Sequence, residues 1–280
     1  LAVDSVTFRG LASGATAIHF LGGTFVSTIT LANFEDTTTG ANVSAAALNT
    51  ASRITMNAHY GARTGLVYEN DPNSLVDWLS PDPNCAATYT VGSGQTYATI
   101  QAGVAAVPAA LPGYTCVLIK DSAIYAENVT VAGKTTNGYR LTIRGNLATP
   151  PVLANASGTG FLINNASVTL HNITVRPSGS SAYGVRVQQP EVYISSVNVD
   201  AGGNITTAGI SIESSRARIT RSSVTVTATD AIYISGSHNQ VDNSSAQTNS
   251  ASFRAVYAIG GSTNSFSVIL ASNVAGEAFR

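Results

Sequence analysis

Five carboxylates between residues 167 and 248 are the side chains in that segment best suited to acid–base chemistry. Two such groups cleave a glycosidic bond when they stand about 5–10 Å apart around the substrate. The five occupy different slots of the local sequence pattern, so the sequence predicts no convergent pair. We expect each to be a solvated turn residue or an outward strand position. They are Glu191, Asp200, Glu213, Asp230 and Asp242.

The residue pattern gives little support to metal or cofactor chemistry. A calcium-assisted lyase needs several carboxylates around one ion, and these acids are spread along the chain. The four histidines lack metal-ligand spacing, and His171 and His238 are expected on the outer face as ordinary polar residues; the others are His19 and His59. No Gly-x-Ser-x-Gly elbow, phosphate loop or dinucleotide fingerprint is present. We therefore expect neither a metal nor a cofactor.

The two cysteines suggest an oxidising compartment. Cys85 precedes the apolar strand ATYTV and Cys116 opens another, CVLIK. We predict a disulfide between them; two buried free thiols are the alternative. Asn-x-Ser/Thr triplets, the acceptor motif for N-linked glycans, begin at Asn42, Asn128, Asn155, Asn165, Asn172, Asn204 and Asn243. Together these features favour a secreted or cell-surface protein.

The composition argues against two classes of partner. Charged residues make up 10% of the 280 residues, and the net charge is −1. No basic stripe is present, so a nucleic-acid partner is not expected. No apolar run approaches the ~18 residues that suggest a membrane span.

A recurring nine-residue phrase shows which elements must position these side chains. It reads SVTLHNITV from Ser167, EVYISSVNV from Glu191, RITRSSVTV from Arg218 and QVDNSSAQT from Gln240, with starts 24, 27 and 22 residues apart. Alternate residues are apolar, as in a strand with one buried face. A β-rich repeat of this length predicts a solenoid.

Two inward stacks and one ion pair follow from this alignment. The first stack contains Val168, Val192, Ile219 and Val241, one from each phrase. A second phrase, in FLI, VRV, ISI and IYI, supplies the other stack, with Val185, Ile210 and Ile232. Glu191 and Arg218 both begin a phrase, so they are expected to pair across neighbouring coils. The predicted fold is an all-β, right-handed parallel β-helix.

Residues 1–59 also read as β-helix coils. TITLANFED from Thr28 overlays SVTLHNITV, and AIHFLGG at Ala17 resembles AVYAIGG at Ala255. We interpret the chain as starting and stopping in mid-coil, so that residues 1–59 complete a neighbouring module or subunit. The side chains expected to take part in such assembly are Val6, Phe8, Ile18, Phe20, Ile29, Leu31, Phe34, Val256, Val268 and Leu270.

Residues 60–87 are rich in Gly, Pro, Asn and Asp, which predicts a linker. The only tryptophan, Trp78, lies there and is expected to anchor the linker, with sugar stacking as the alternative. Residues 88–280 then form the main β-helix. In it, Ile100, Val104 and Val107 recur at helical spacing, which predicts a short capping helix near residues 97–110. Such a helix would cover the open strand edge of the first coil.

The stretch from Gly94 to Val131 resembles the opening of the right-handed β-helix superfamily of pectin methylesterases and pectate lyases. The matching residues are GQTYATIQAGVAAVP and VLIKDSAIYAENVTV, with Tyr125 and Glu127 in the Gly-x-Tyr-x-Glu position of that superfamily and Ala123 and Ile124 where its glycine usually stands. The resemblance covers roughly residues 88–280 and implies the scaffold. The catalytic signatures of pectin methylesterases and polygalacturonases are absent from the sequence.

Three functions remain open. The first is a non-enzymatic structural or adhesive extracellular protein, whose copies join head to tail through completion of coils into a filament or tandem array. The second is a lyase or esterase acting on an acidic polysaccharide. The third is a glycan-binding module with Tyr183, Tyr193 and Tyr233 as stacking platforms, although tyrosine is also a good strand former. Fold alone does not decide among them.

Overall fold

The computed structural model describes residues 85–145, 149–260 and 263–273, together with the strands before residue 85. For those earlier strands, and for residues 267–271 and 273, it describes the backbone alone. The chain divides into two compact units, Leu1–Cys85 and Ala86–Arg280.

The first unit contains parallel strands in two sheets. One sheet has the order β1-β4-β6-β8, with β2 also paired to β4, and the other has the order β3-β5-β7. Strands β7 and β8 lie within the segment for which the sequence predicted a linker. The bounds are β1 (Ala2–Val3), β2 (Val6–Arg9), β3 (Ile18–Gly23), β4 (Val26–Glu35), β5 (Ala41–Leu48), β6 (Arg53–Tyr60), β7 (Leu66–Glu69) and β8 (Leu75–Trp78).

The second unit is a parallel β-solenoid with one short helix among its described residues, as the sequence predicted. Its elements begin with β9 (Ala87–Val91), α1 (Ile100–Ala106), β10 (Thr115–Ile119), β11 (Ile124–Tyr125), β12 (Val129–Ala132), β13 (Leu141–Arg144), β14 (Val152–Leu153), β15 (Gly158–Asn164), β16 (Val168–His171), β17 (Thr174–Val175) and β18 (Ser181–Val187). They continue with β19 (Tyr193–Ser195), β20 (Asn198–Asp200), β21 (Ile205–Ile212), β22 (Arg218–Thr220), β23 (Ser223–Val226), β24 (Asp230–Ile234), β25 (Gln240–Thr248), β26 (Val256–Ala258) and β27 (Ser265–Asn273).

Each coil of this solenoid contributes to two sheets. The six-stranded sheet has the order β12-β15-β18-β21-β24-β26. The thirteen-stranded sheet has the order β11-β14-β17-β20-β23-β25-β22-β19-β16-β13-β10-β9, and β27 pairs with β25. Strand β25 joins the two arms of that sheet because it pairs with both β22 and β23.

One predicted stack is confirmed, and the other is right only in part, because Ile219 pairs with Val241 as predicted. Val185, Ile210 and Ile232 are in register on β18, β21 and β24, and they are buried. Ile219, however, pairs with Ile194 on β19, and neither Val168 nor Val192 belongs to its stack. The third and fourth phrases, which are in step with each other, were therefore both aligned two residues out of step with the first two.

Left-handed corners explain that misalignment. The coils that contain β16, β19, β22 and β25 each turn at a non-glycine residue with positive φ before that strand segment and at another five residues later, a conformation that L-residues rarely adopt. The two corners of a coil are separated by the same number of residues in each of these coils, whereas the apolar residues of the repeat do not keep a constant position in the sequence. The first set is Ser167, Glu191, Arg216, His238 and Thr263, and the second is Asn172, Ser196, Arg221 and Asn243. Arg216, and not Arg218, therefore corresponds to Glu191.

Side-chain hydrogen bonds replace apolar contacts at the corners of the later coils. Ser222 Oγ accepts from the Val197 amide at 3.1 Å, and Ser244 Oγ accepts from the Ser222 amide at 3.2 Å. At the other corner, Asn239 Oδ1 accepts from the Ala217 amide at 2.8 Å, and Asn264 repeats that bond to Asn239 at 2.9 Å. Each ladder joins successive coils and satisfies backbone donors that would otherwise be buried without a partner.

The start of the solenoid is fixed by the helix and by a disulfide. Helix α1 begins after Thr99, whose side chain accepts from the Ala102 amide, and the Glu127 carboxylate accepts from the Ile100 and Gln101 amides at 2.7 and 3.0 Å. Glu127 is thus a helix cap and part of the scaffold. Both cysteines are disulfide-bonded, which confirms the predicted Cys85–Cys116 bridge, since the chain has no others.

Candidate functional site

Cationic partners on neighbouring coils hold most of the carboxylates that the sequence singled out. Glu213 accepts two hydrogen bonds from the Arg186 guanidinium, both at 2.8 Å, and one from Ser211 at 3.1 Å. Burial raises the pKa of Glu213, but the hydrogen bonds and charge of Arg186 outweigh it, so the pKa lies below its usual value. Glu213 is therefore a stable carboxylate and a poor proton donor at neutral pH.

The predicted Glu191–Arg218 pair is wrong. Arg218 instead binds Asp242 on the next coil, with Nε 2.8 Å from Oδ2, and both side chains are almost fully buried. Glu191 pairs with Arg216 at 3.3 Å and accepts a hydrogen bond from Ser167 at 3.0 Å. The two-residue offset of the third and fourth phrases relative to the first two is the reason for this exchange of partners.

The remaining two acids also have structural partners. Asp200 pairs with Arg176 at 2.9 Å on an exposed surface, where such a contact contributes only about 0.2–1 kcal/mol. Asp230 accepts from the Arg254 backbone amide at 2.7 Å, and burial raises its pKa. Each of the five carboxylates has a partner on a neighbouring coil, and no contact found among the described residues places two of them together as an acid and base.

The described histidines and acids form no metal centre. No group of three His, Cys, Asp or Glu side chains that could hold a metal ion occurs among the residues the structure describes. His238 is exposed at a left-handed corner, as expected for an ordinary polar residue. His171 occupies an outward slot but is only 7% exposed. Burial and the charges of Arg221 and Arg144 lower its pKa to about 4. His19 and His59 lie in β3 and β6, where side chains are outside the described part.

Two of the three singled-out tyrosines share a sheet. Tyr183 on β18 and Tyr233 on β24 lie in the six-stranded sheet, and both are half-buried. The Arg186 guanidinium lies 4.8 Å from the Tyr183 ring centroid. Tyr193 belongs to the other sheet, is 6% exposed, and has Arg140 over its ring at 4.2 Å. It is therefore not part of the same surface.

The structure adds Tyr257, which the sequence reasoning missed. Tyr257 on β26 is in register with Tyr233, and the two rings meet edge to face with centroids 5.7 Å apart. Arg254 lies over the Tyr257 ring at 4.7 Å. A signal was present in the sequence, because Tyr257 is the middle residue of VYA as Tyr233 is of IYI.

The residues predicted to take part in assembly lie in strands. Val256 is buried in β26. The others lie in β2 (Val6 and Phe8), β3 (Ile18 and Phe20), β4 (Ile29, Leu31 and Phe34) and β27 (Val268 and Leu270). Their side chains are outside the described part of the structure.

Comparison with known proteins assigns no family. No protein-family model, curated protein or solved structure matches the chain. The structure shows the parallel β-solenoid itself, and within its described part no helix has the length and apolar character needed to span a membrane.

Proposed function

We propose that the chain is a non-enzymatic structural or adhesive protein of an extracellular surface. The proposal rests mainly on the ion pairs, which join neighbouring coils of the solenoid. Arg186, Arg216 and Arg218 each hold a carboxylate on a neighbouring coil. These contacts, and the serine and asparagine ladders at the corners, bind coil to coil. A scaffold needs such bonds, whereas an acid–base enzyme needs carboxylates that face the substrate.

The same proposal includes head-to-tail assembly of copies of the chain. Among the described strands, β27 pairs only with β25, through eight register positions from Ser265 to Asn273. A parallel strand supplied by another copy would continue this ladder by strand addition. Such a contact uses different surfaces on the two partners, so it propagates into a filament.

A concentration series tests assembly and catalysis together. The proposal predicts that the mass measured by light scattering exceeds 28.7 kDa and rises with protein concentration. It also predicts no cleavage or de-esterification of acidic polysaccharides. A monomer at every concentration that releases product, and loses that activity on Glu213→Gln or Asp230→Asn substitution, would establish the alternative enzyme. The resemblance to pectin methylesterases and pectate lyases is the reason to include that assay.

Glycan binding is a second candidate because of the tyrosines on the six-stranded sheet. Tyr233 and Tyr257 form one aromatic surface, and Tyr183 lies on the same sheet with Arg186. Aromatic faces bury apolar area and keep a polar group at the rim, which suits a sugar ring. We expect Tyr233→Ala to weaken binding in affinity electrophoresis with neutral and acidic polysaccharides, whereas Tyr233→Phe keeps the ring and the binding. Equal mobility of all three proteins in every polysaccharide would exclude this candidate.

A further inference from the structure

The glycan-acceptor triplets in the sequence differ sharply in their structural environment. Asn155 is 0% exposed, and its Nδ2 donates to Ser157 O and Ser181 Oγ. Asn165 is 5% exposed and accepts from the Lys134 amide at 2.7 Å. A bulky, hydrated oligosaccharide cannot be accommodated at either position, because it must end in solvent when the chain is folded.

Three further acceptors are constrained by their surroundings. Asn128 donates both Nδ2 hydrogens, to Ser157 O at 2.7 Å and Thr159 O at 2.8 Å. Asn204 is half-buried and donates to Pro177 O at 2.7 Å. Asn172 is half-buried at a left-handed corner. A sugar on Nδ2 would displace one hydrogen bond at Asn128 and would crowd the next coil at the other two.

Asn243 lies in a different environment. It is exposed at the corner inside β25 with φ of 43°, between the buried residues Asp242 and Ser244. No hydrogen bond of its side chain is found within the described residues. Asn172 has the same left-handed conformation but is half-buried, whereas the Asn243 side chain is exposed, so a substituent on its Nδ2 enters solvent.

We propose that Asn243 is the acceptor of an N-linked glycan. The donor is a lipid-linked oligosaccharide diphosphate: a bond forms between Nδ2 and the sugar C1, the bond from C1 to the diphosphate oxygen breaks, and the amide loses a proton to the transferase. The lipid diphosphate is the leaving group. This inference rests on the extracellular location in the proposed function, since the donor and transferase belong to the secretory route. A glycan at this corner would keep neighbouring solenoids from packing side by side there.

Site occupancy in secreted protein tests the inference. The full chain is secreted from eukaryotic cells behind a supplied leader, and the soluble protein is treated with peptide-N-glycosidase in ¹⁸O-water. Peptide mass spectrometry then identifies each occupied asparagine as ¹⁸O-labelled aspartate. We expect label at Asn243 in most molecules and none at Asn155 or Asn165.

Two variants and one independent readout make the result decisive. Asn243→Gln should abolish the Asn243 label, and Ser245→Thr, which preserves the triplet, should retain it. Soluble wild-type protein without label at Asn243, or with equal label at Asn155 or Asn165, would overturn the inference. The mass of the assembly is measured on the same material, so failure of glycosylation is distinguishable from failure of the structural proposal.

Discussion

Gly209→Ala is the substitution for which the structure makes the most detailed prediction. A Cβ at Gly209 would lie 2.4 Å from Val224 Cγ1, 2.7 Å from Ala231 O and 3.2 Å from Val226 Cγ1. Carbon atoms pack at about 3.5–4.0 Å, so the added methyl overlaps Val224 by more than 1 Å. Gly160 and Gly184 meet Val175 and Val199 in the same way, at 3.0 and 2.8 Å.

The next coil shows how this crowding is relieved. Ile210 pairs with Ile232 and Val224 with Ala246, so the coil after Gly209 and Val224 carries Ala231 and Ala246. From one coil to the next, Gly209 is replaced by Ala231, which adds one methyl group, and Val224 is replaced by Ala246, which removes two. A large residue on one side therefore requires a small one on the other.

The expected free energies follow from this geometry. Gly209→Ala alone should lower the free energy of unfolding by about 1–3 kcal/mol through overpacking. Val224→Ala alone should lower it by about 2 kcal/mol through lost burial and a small cavity. The double variant reproduces the alanine pair of the next coil, so it should cost less than the sum by about 0.5–3 kcal/mol. In the double variant the new Cβ at position 209 still lies close to Ala231 O, so we expect the second substitution to restore only part of the lost stability.

Urea denaturation followed by circular dichroism measures these differences, provided that the slope with urea stays unchanged among the variants. Gly203→Ala is the matched control, because a Cβ there meets nothing within 4 Å. It should be neutral or stabilising by up to about 1 kcal/mol. Costs that add within about 0.5 kcal/mol in the double variant would refute the reasoning.

Three further predictions concern buried groups and the disulfide. Arg218→Met leaves the Asp242 carboxylate buried without its guanidinium and should cost about 3–5 kcal/mol; adding Asp242→Leu should recover most of it in the same urea titration, and an equally unstable double variant would contradict the ion-pair interpretation. The pKa of His171 is lowered from 6.5 in the unfolded chain to about 4 in the folded protein. Between these pH values the unfolded state therefore binds more protons than the folded state. The free energy of unfolding should have its full value above pH 6.5 and decline by about 3 kcal/mol as the pH falls to 4. His171→Asn should flatten that decline, and an unchanged pH profile would count against it. Cys85→Ser should lower the free energy of unfolding by about 2–4 kcal/mol, and reductant should lower the thermal midpoint of wild type but not of the variant.

The strand periodicity was readable in the sequence because alternate apolar residues are a local signal. Val185, Ile210 and Ile232 lie in strand segments with clear apolar alternation, and their stack was predicted correctly. The disulfide was also predicted, since two cysteines beside adjacent strands leave few alternatives. Parallel pairing followed from the repeat length, which is too long for tight hairpins.

The strand register of the thirteen-stranded sheet depends on the backbone conformation at the corners, which the amino-acid sequence does not reveal directly. Arg216 and Arg221 occupy left-handed corners that Ser167 and Asn172 hold two coils earlier. Arginine, serine and asparagine share no sequence signal that would mark these corners. Ser222 and Ser244 further obscured the pattern, because their hydroxyls bond backbone amides in slots where an apolar residue was expected. The predicted Glu191–Arg218 ion pair depended on this register and was wrong for the same reason.

Negative-stain electron microscopy of native material, with a denaturing gel of the same sample, tests the structural function most directly. We expect filaments that dissociate on the gel to a band near 28.7 kDa, because separate subunits would add strands to one another without a covalent link. Filaments that remain very large on the gel would instead indicate a tandem or cross-linked chain within the same structural role. Discrete monomeric particles in the native sample would show that the chain does not assemble head to tail and would exclude the proposed filament.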